Sequence, residues 1–252
     1  MRLLRHTQAC LDAALRWPPE GRSWSGGGRA RLRSILVFES TFVDRFFAQA
    51  LPISPIFWVG PVFIVTTVQV ARAPGRHWLW LALFALGWLA WSFLEYLLHR
   101  FVFHMGARTP KERLRAFLLH GYHHEFPDDP MRLVAPPLMS WPIGVVVALT
   151  LYALIGPPSW LPMFAGMSAG YLAYDWIHYY CHHFQPRRGI GKWLRSYHML
   201  HHFQDRESRF GVSSPLWDLV FGTYRPVPRV DASPLEARSQ STMRLKRKPA
   251  SR

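Results

Sequence analysis

The sequence is poor in cysteine, in lysine and in acidic residues. Its two cysteines, Cys10 and Cys181, are too few for a disulfide framework and form no CxxC metal knuckle. Lysine and arginine together number 30 against 15 acidic residues, a net charge of +15, and only four of the 30 are lysine. That balance raises nucleic acid as a partner. No basic helix or aromatic RNA-binding signature accompanies the arginines, so nucleic acid is not expected. The N-terminus also lacks a clean apolar signal core, because Arg5, His6 and Asp12 interrupt Leu3–Leu15, and no cleaved signal peptide is expected. Charge of either sign is missing from two long stretches, residues 46–71 and the 42 residues from Leu133 to Tyr174. About 20 uncharged residues suffice, as a helix, to cross the ~30 Å hydrocarbon core of a bilayer. The mean hydropathy of -0.01 hides this sorting. A simple soluble enzyme is excluded.

Four membrane helices are predicted, at about Pro55–Ala71, Trp78–Phe101, Val134–Ile155 and Trp160–Cys181. Arg72-Ala73-Pro74-Gly75-Arg76 turns the first pair and Gly156-Pro157-Pro158 the second, giving two helical hairpins. Ahead of them, residues 1–45 read as a basic tail with an interfacial helix. The tail is loosely ordered over 1–33, and Ile35, Phe38, Phe42 and Phe46 recur at near-helical spacing over Ile35–Phe47. Residues 46–225 form the membrane domain and 226–252 a basic C-terminal tail carrying Lys246-Arg247-Lys248. Of the 30 Lys and Arg residues, 28 flank the hairpins on one side. Basic flanks stay in the cytoplasm, which places both termini and the loop between the hairpins there.

Eleven of the 13 histidines lie in two windows, residues 99–124 and 178–202. The first holds His99 and His104 (HRFVFH), then His120, His123 and His124 (HGYHH). The second holds His178, His182 and His183 (HYYCHH), then His198, His201 and His202 (HMLHH). Residues at i, i+3 and i+4 share a helix face, so each HxxHH is expected to aim three imidazoles at one point. His99 and His104, five apart, do not share a face on an ideal helix. Either the helix end distorts or the two serve different metals. Such a density of neutral imidazole points to zinc, iron, copper or nickel. Ten ligands suit two ions with about five nitrogens each, whereas one four-coordinate zinc would leave most of them idle. His183 points about 100° away from His182 and is expected to orient a ligand or face the substrate.

The histidine clusters resemble those of the fatty acid hydroxylase superfamily, membrane di-metal enzymes that include sterol desaturases. EYLLHRFVFH at 95–104, LLHGYHHEFPDDPMRLVAPP at 118–137, YDWIHYYCHH at 174–183, SYHMLHHF at 196–203 and RFGVSSPLWDLVFGTY at 209–224 are similar to the fatty acid 2-hydroxylase branch. The resemblance covers about residues 40–225. It implies four membrane helices under a cytosolic helical cap that holds two metals. It implies as ligands His99, His104, His120, His123, His124, His178, His182, His198, His201 and His202. Members with an N-terminal cytochrome-b-type domain carry a His-Pro-Gly-Gly haem motif that this sequence lacks. No intrinsic haem is expected, and electrons must come from a separate donor protein.

The implied reaction is hydroxylation at the 2-position of a fatty acyl chain, free or lipid-bound, by two iron ions, dioxygen and two external electrons. Cleaving an unactivated C–H bond is beyond side-chain acid–base chemistry. Zinc can replace iron in such sites, and that form is expected to be inactive. Ligand rings usually give their second N–H to a carboxylate or carbonyl. Glu95 and Asp175, acids at the ends of apolar helices, are expected in that role because acids are costly there. Trp88, Trp91, Tyr171, Tyr174 and Trp176 read as bilayer anchors or core, Cys181 as packing, and Arg132 as a headgroup partner or an interfacial anchor. Alternatives are a sterol or other lipid hydroxylase or desaturase, and a His-rich metal-binding or metal-transport protein. Transporter sites lie at the bilayer midplane, whereas these histidines lie at helix ends. The Arg-rich composition and the absence of a C-terminal dilysine signal favour a bacterial inner membrane over the endoplasmic reticulum.

Overall fold

A computed structural model describes residues 5–17, 35–72 and 75–228. Among these residues the protein is all-helical, with one isolated antiparallel bridge between His6 and Phe38 and no strand. Four long helices carry the architecture: α3 (Ile56–Arg72), α4 (His77–Leu97), α7 (Pro137–Ile155) and α8 (Trp160–His183). Their ends fall within a few residues of the predicted spans. Two are long and apolar enough to cross a membrane, α4 with its extension to Phe103 and α7, while α3 is a shorter apolar helix. The central helix is α8. It packs against α3, α4 and α7, and its buried residues run from Leu161 to His182.

Helices α4 and α8 make the closest approach, and glycines permit it. A Cβ on Gly87 would overlap the Met163 carbonyl, and one on Gly166 would overlap the Phe84 carbonyl. Further along, Gly170 lies under the Trp91 ring. Contacts climb both helices in the same direction, so the pair is parallel and carries His99 and His178 to the same end.

The histidine-bearing end is built from short helices. α5 (Pro110–Ala116) starts with a capping box between Thr109 and Glu112 and with proline at its first position. It passes through a π-helical turn, Phe117–Gly121, into α6 (Tyr122–Glu125). α9 (Gly189–Phe203) and α10 (Leu216–Val220) complete this layer.

The N-terminal region departs from expectation. Residues 8–15 form a helix, α1, capped by the Thr7 side chain. Its Cys10 and Ala14, with Trp17, recur at one-turn spacing and enter a buried cluster with Val37, Ala116, Phe117, Tyr122 and Phe126. The polar Arg5, His6 and Asp12 mask this face in the sequence. The expected interfacial helix is also shorter: α2 spans Thr41–Phe47 behind a Ser40 cap. Residues ahead of it pair with the chain at 5–7, through Thr7 N to Val37 O at 3.0 Å and Glu39 N to Arg5 O at 2.8 Å. Most of the expected loose tail, including Trp24–Gly28, and the basic run Lys246–Lys248 lie outside the described residues.

Candidate metal centre

The chain bends its helix ends to gather the histidines. After Leu97, α4 widens into a π-helical turn, Leu98–Phe103, in which His104 N donates to His99 O at 3.2 Å. That i, i+5 bond stacks His99 and His104 on one face, so the helix end distorts and the pair stays together. The structure then sorts all ten histidines into two groups of five. One holds His99, His104, His120, His124 and His201; the other holds His123, His178, His182, His198 and His202. Within each group one ring nitrogen from every member lies within 4.8 Å of all the others.

Each HxxHH motif is divided between the groups, not aimed at one point as expected. His120 and His124 stay in the first group while His123 joins the second. His198 and His202 stay in the second while His201 joins the first. Residues at i+3 and i+4 point about 100° apart on a helix, so the motif can serve a target on either side. The groups touch through His124 and His202, whose rings stack at 4.0 Å.

The donor set fits two metal ions. Seven Nε2-to-Nε2 contacts of 2.9–3.1 Å join the histidines, each inside one group: His99–His120, His120–His124 and His104–His201 in the first, and His123–His202, His123–His178, His182–His198 and His198–His202 in the second. Neighbouring nitrogens around an ion bound at about 2.1 Å lie about 3 Å apart. Burial, followed by repulsion from neighbouring imidazoles, pushes His120, His123, His124, His198, His201 and His202 well below the usual imidazole range. Rings held neutral at pH 7 are ready ligands.

The carboxylates act differently from their expected roles. Among the described residues, Glu95 makes no hydrogen bond to a histidine. Its Oε1 accepts from Val212 N at 2.8 Å and Ser213 N at 2.9 Å, and its Oε2 from the Ser213 hydroxyl at 2.5 Å. The loop it pins presents the Phe210 carbonyl to His99 Nδ1 at 2.5 Å. Asp218, which the sequence reading missed, pins the same loop from the other side. It accepts from Phe210 N, Gly211 N, Tyr197 OH and the Thr223 hydroxyl at 2.7–3.1 Å. Just upstream, Ser208 O takes the His201 Nδ1 proton at 2.7 Å. The FGVSSPLWD stretch at 210–218 was the available signal. Asp175 faces a cavity, with Oδ2 lacking a hydrogen-bond partner. His183 belongs to neither group and lies against Tyr179, with ring centroids 4.3 Å apart.

That cavity has a volume of about 540 Å³ and runs between the long helices to His120, His123 and His178. Its walls are mainly apolar, among them Leu133, Val134, Met139, Ile143 and Phe164. Trp91, Tyr171 and Tyr174 line it too. Arg132 is held near its rim by a buried ion pair with Asp44 at 2.6 Å.

The profile of the fatty acid hydroxylase family matches residues 84–223, the span that holds all ten histidines. The chain belongs to this family. A dihydroceramide fatty acyl 2-hydroxylase of Arabidopsis thaliana is 36% identical over 74% of this chain and 78% of the relative. The fatty acid 2-hydroxylase of Rattus norvegicus is 34% identical over 77% of this chain and 58% of its own length. A ceramide very long chain fatty acid hydroxylase of Saccharomyces cerevisiae is 36% identical, over 73% of this chain and 48% of its own length. A solved structure of full-length Scs7p, with only the hydroxylase domain visible, covers 75% of this chain and 73% of that chain. It is 30% identical, with a TM-score of 0.66. This member of the fatty acid hydroxylase family is thus an enzyme whose clusters are compatible with a di-metal site.

Proposed function

We propose that this fatty acid hydroxylase is an integral membrane di-iron monooxygenase that hydroxylates the 2-carbon of a fatty acyl chain, free or lipid-bound. The observation that carries the reading is an apolar cavity ending on two five-histidine groups. The named activities of the Arabidopsis, rat and yeast relatives support the position of attack. Two iron ions, supplied with dioxygen and two electrons from a separate donor protein, provide the oxidising chemistry that side chains lack.

The chain's own residues do the rest. Ten neutral imidazoles hold the ions, His99, His104, His120, His124 and His201 one of them, and His123, His178, His182, His198 and His202 the other. The cavity walls align the acyl chain, keep water away and present the carbon beside its carbonyl to the histidine end. Glu95 and Asp218 hold the loop whose carbonyls orient His99 and His201. Four crossings by α3, α4, α7 and α8, with termini and metal centre cytoplasmic, follow from the basic flanks. A bacterial inner membrane is the proposed location.

The test is mass spectrometry of hydrolysed lipids from cells expressing the wild type or His123→Ala, each with a suitable reductase under air. New 2-hydroxy fatty acids in the wild type alone are expected. A hydroxyl or double bond elsewhere on a lipid would replace the assigned position. Absence of any product, with iron bound and electrons delivered, would overturn the assignment.

A further inference from the structure

The hydroxylase reading requires electrons to reach a buried centre, and the structure offers a route. Among the described residues, five aromatic rings pack against the ten histidines: Trp17 on His124, Phe103 on His99 and His120, Tyr174 on His178, Phe203 on His202, and Phe210 on His99, His104 and His201. Phe103 and Tyr174 line the cavity and so belong to the substrate side. Phe210 is held inside the loop that Glu95 and Asp218 pin, at 2% exposure against 7% for Trp17. Trp17 differs from the remaining phenylalanine in chemistry and in setting. Indole has the largest π-system of these rings, and its centroid lies 5.7 Å from that of His124. His124 in turn stacks on His202, which joins the two groups. Trp17, His124 and His202 thus form a continuous aromatic path into both.

The seat of Trp17 is closely fitted. A Cβ on Gly121 would lie 2.7 Å from the indole Cε2, so the bare backbone between His120 and Tyr122 is what lets the ring approach. Arg206 covers the indole, its Cζ 4.5 Å from the ring centroid.

The surrounding surface is basic. Arg5, Arg16, Arg108, Lys111 and Arg115 are exposed on α1, α5 and their flanks. Arg113 ties the two helices by donating to Leu15 O at 2.9 Å. Asp12 and Glu112 on these helices and Glu39 beside Arg5 are fewer than these six cations, so the face stays net positive. Such a field steers an acidic protein and fixes its register.

We propose that the α1–α5 face is the docking surface for a small acidic one-electron carrier protein, and that electrons enter the metal centre through Trp17. The proposal rests on the hydroxylase reading. Each docking event oxidises one carrier by one electron and reduces the centre by one, so two events supply a turnover.

The full-length, iron-loaded protein in nanodiscs is tested with an acidic plant-type [2Fe–2S] ferredoxin as the probe carrier. Lys111→Glu/Arg115→Glu should weaken ferredoxin binding roughly ten-fold at low salt, whereas Arg187→Glu/Arg188→Glu, the same charge change elsewhere, should not. Equal weakening by both pairs would overturn the docking surface. So would a first pair that loses binding to phosphatidylglycerol vesicles while retaining ferredoxin. In anaerobic stopped flow, Trp17→Leu should slow reduction by ferredoxin at saturating carrier at least roughly ten-fold, with Trp17→Phe in between. Dithionite, which needs no docking, should reduce wild type and variants alike. Unchanged ferredoxin-driven reduction in Trp17→Leu overturns the entry route, and slowed dithionite reduction shows a damaged centre in its place. If neither reductant reduces the wild type, the hydroxylase reading itself fails, and the route with it.

Discussion

The two histidine groups use the same parts and are held in different ways. Each takes a pair from the end of a long helix, an i, i+4 pair from one HxxHH and a single histidine from the other. In the first group, His99 and His201 give their Nδ1 protons to Phe210 O and Ser208 O, in a segment fastened by Glu95 and Asp218. In the second, the Nδ1 atoms of His178, His198 and His202 have no hydrogen-bond partner, a condition that the first group shares only at His124 among the described residues. Two of its members, His123 and His178, border the cavity, against His120 alone from the first. An outer partner fixes the ring and raises its basicity. The first group is thus the more firmly tethered, and the second has freer rings, more of which border the cavity.

The largest effects come from removing ligands. His201→Ala and His202→Ala take one imidazole from the first and second groups respectively. Both are expected to abolish the hydroxylated product, measured by lipid mass spectrometry, and each to halve bound metal by elemental analysis. A site that kept both ions in either variant would break the assignment of histidines to groups. Next is Glu95→Ala, which frees the loop without touching a ligand. It should weaken metal binding about 10–100-fold in the first group only, giving one shifted step in a chelator titration. A shift in both steps would mean that the groups are held alike. Asp218→Asn keeps one acceptor and should act on the same step more mildly, with a loss of stability of about 1–3 kcal/mol from unsatisfied buried donors.

The smallest difference between the groups is expected from pH. In both, the histidines outside the long helices are held below the usual range, chiefly by burial. On acidification of the metal-free protein, the unfolded chain therefore takes up protons first. Stability is level above pH ~6.5, the ordinary imidazole value, and falls progressively below it. Thermal melts across pH 5–8 check this. The same slope in His201→Ala and His202→Ala would show that the groups differ in tethering and not in burial.

The long helices were legible because uncharged runs and Pro-Gly breaks leave little choice of boundary. The histidines were legible as a set because their spacing repeats. Their division between groups was not, since spacing along one helix does not reveal what approaches from across the site. Glu95 shows the same limit. Its place at the end of an apolar helix marked it as constrained, but its partner lies 117 residues away in a loop with no helical period. Helix α1 escaped because its buried stripe of Cys10, Ala14 and Trp17 is narrow and set among polar residues.

The exchange of His123 and His201 makes each half of the centre incomplete by construction. Neither the stretch ending at His124 nor the one beginning at His178 contains a full set of five for either ion. A ribosome that has released only the first half has made four of the first group's five imidazoles and one of the second's. A full set of five forms in either group only once α8 has settled against α4 and brought the second motif alongside the first. Completion of each five-histidine group is thereby a late event, and it reports that the second motif has joined the first.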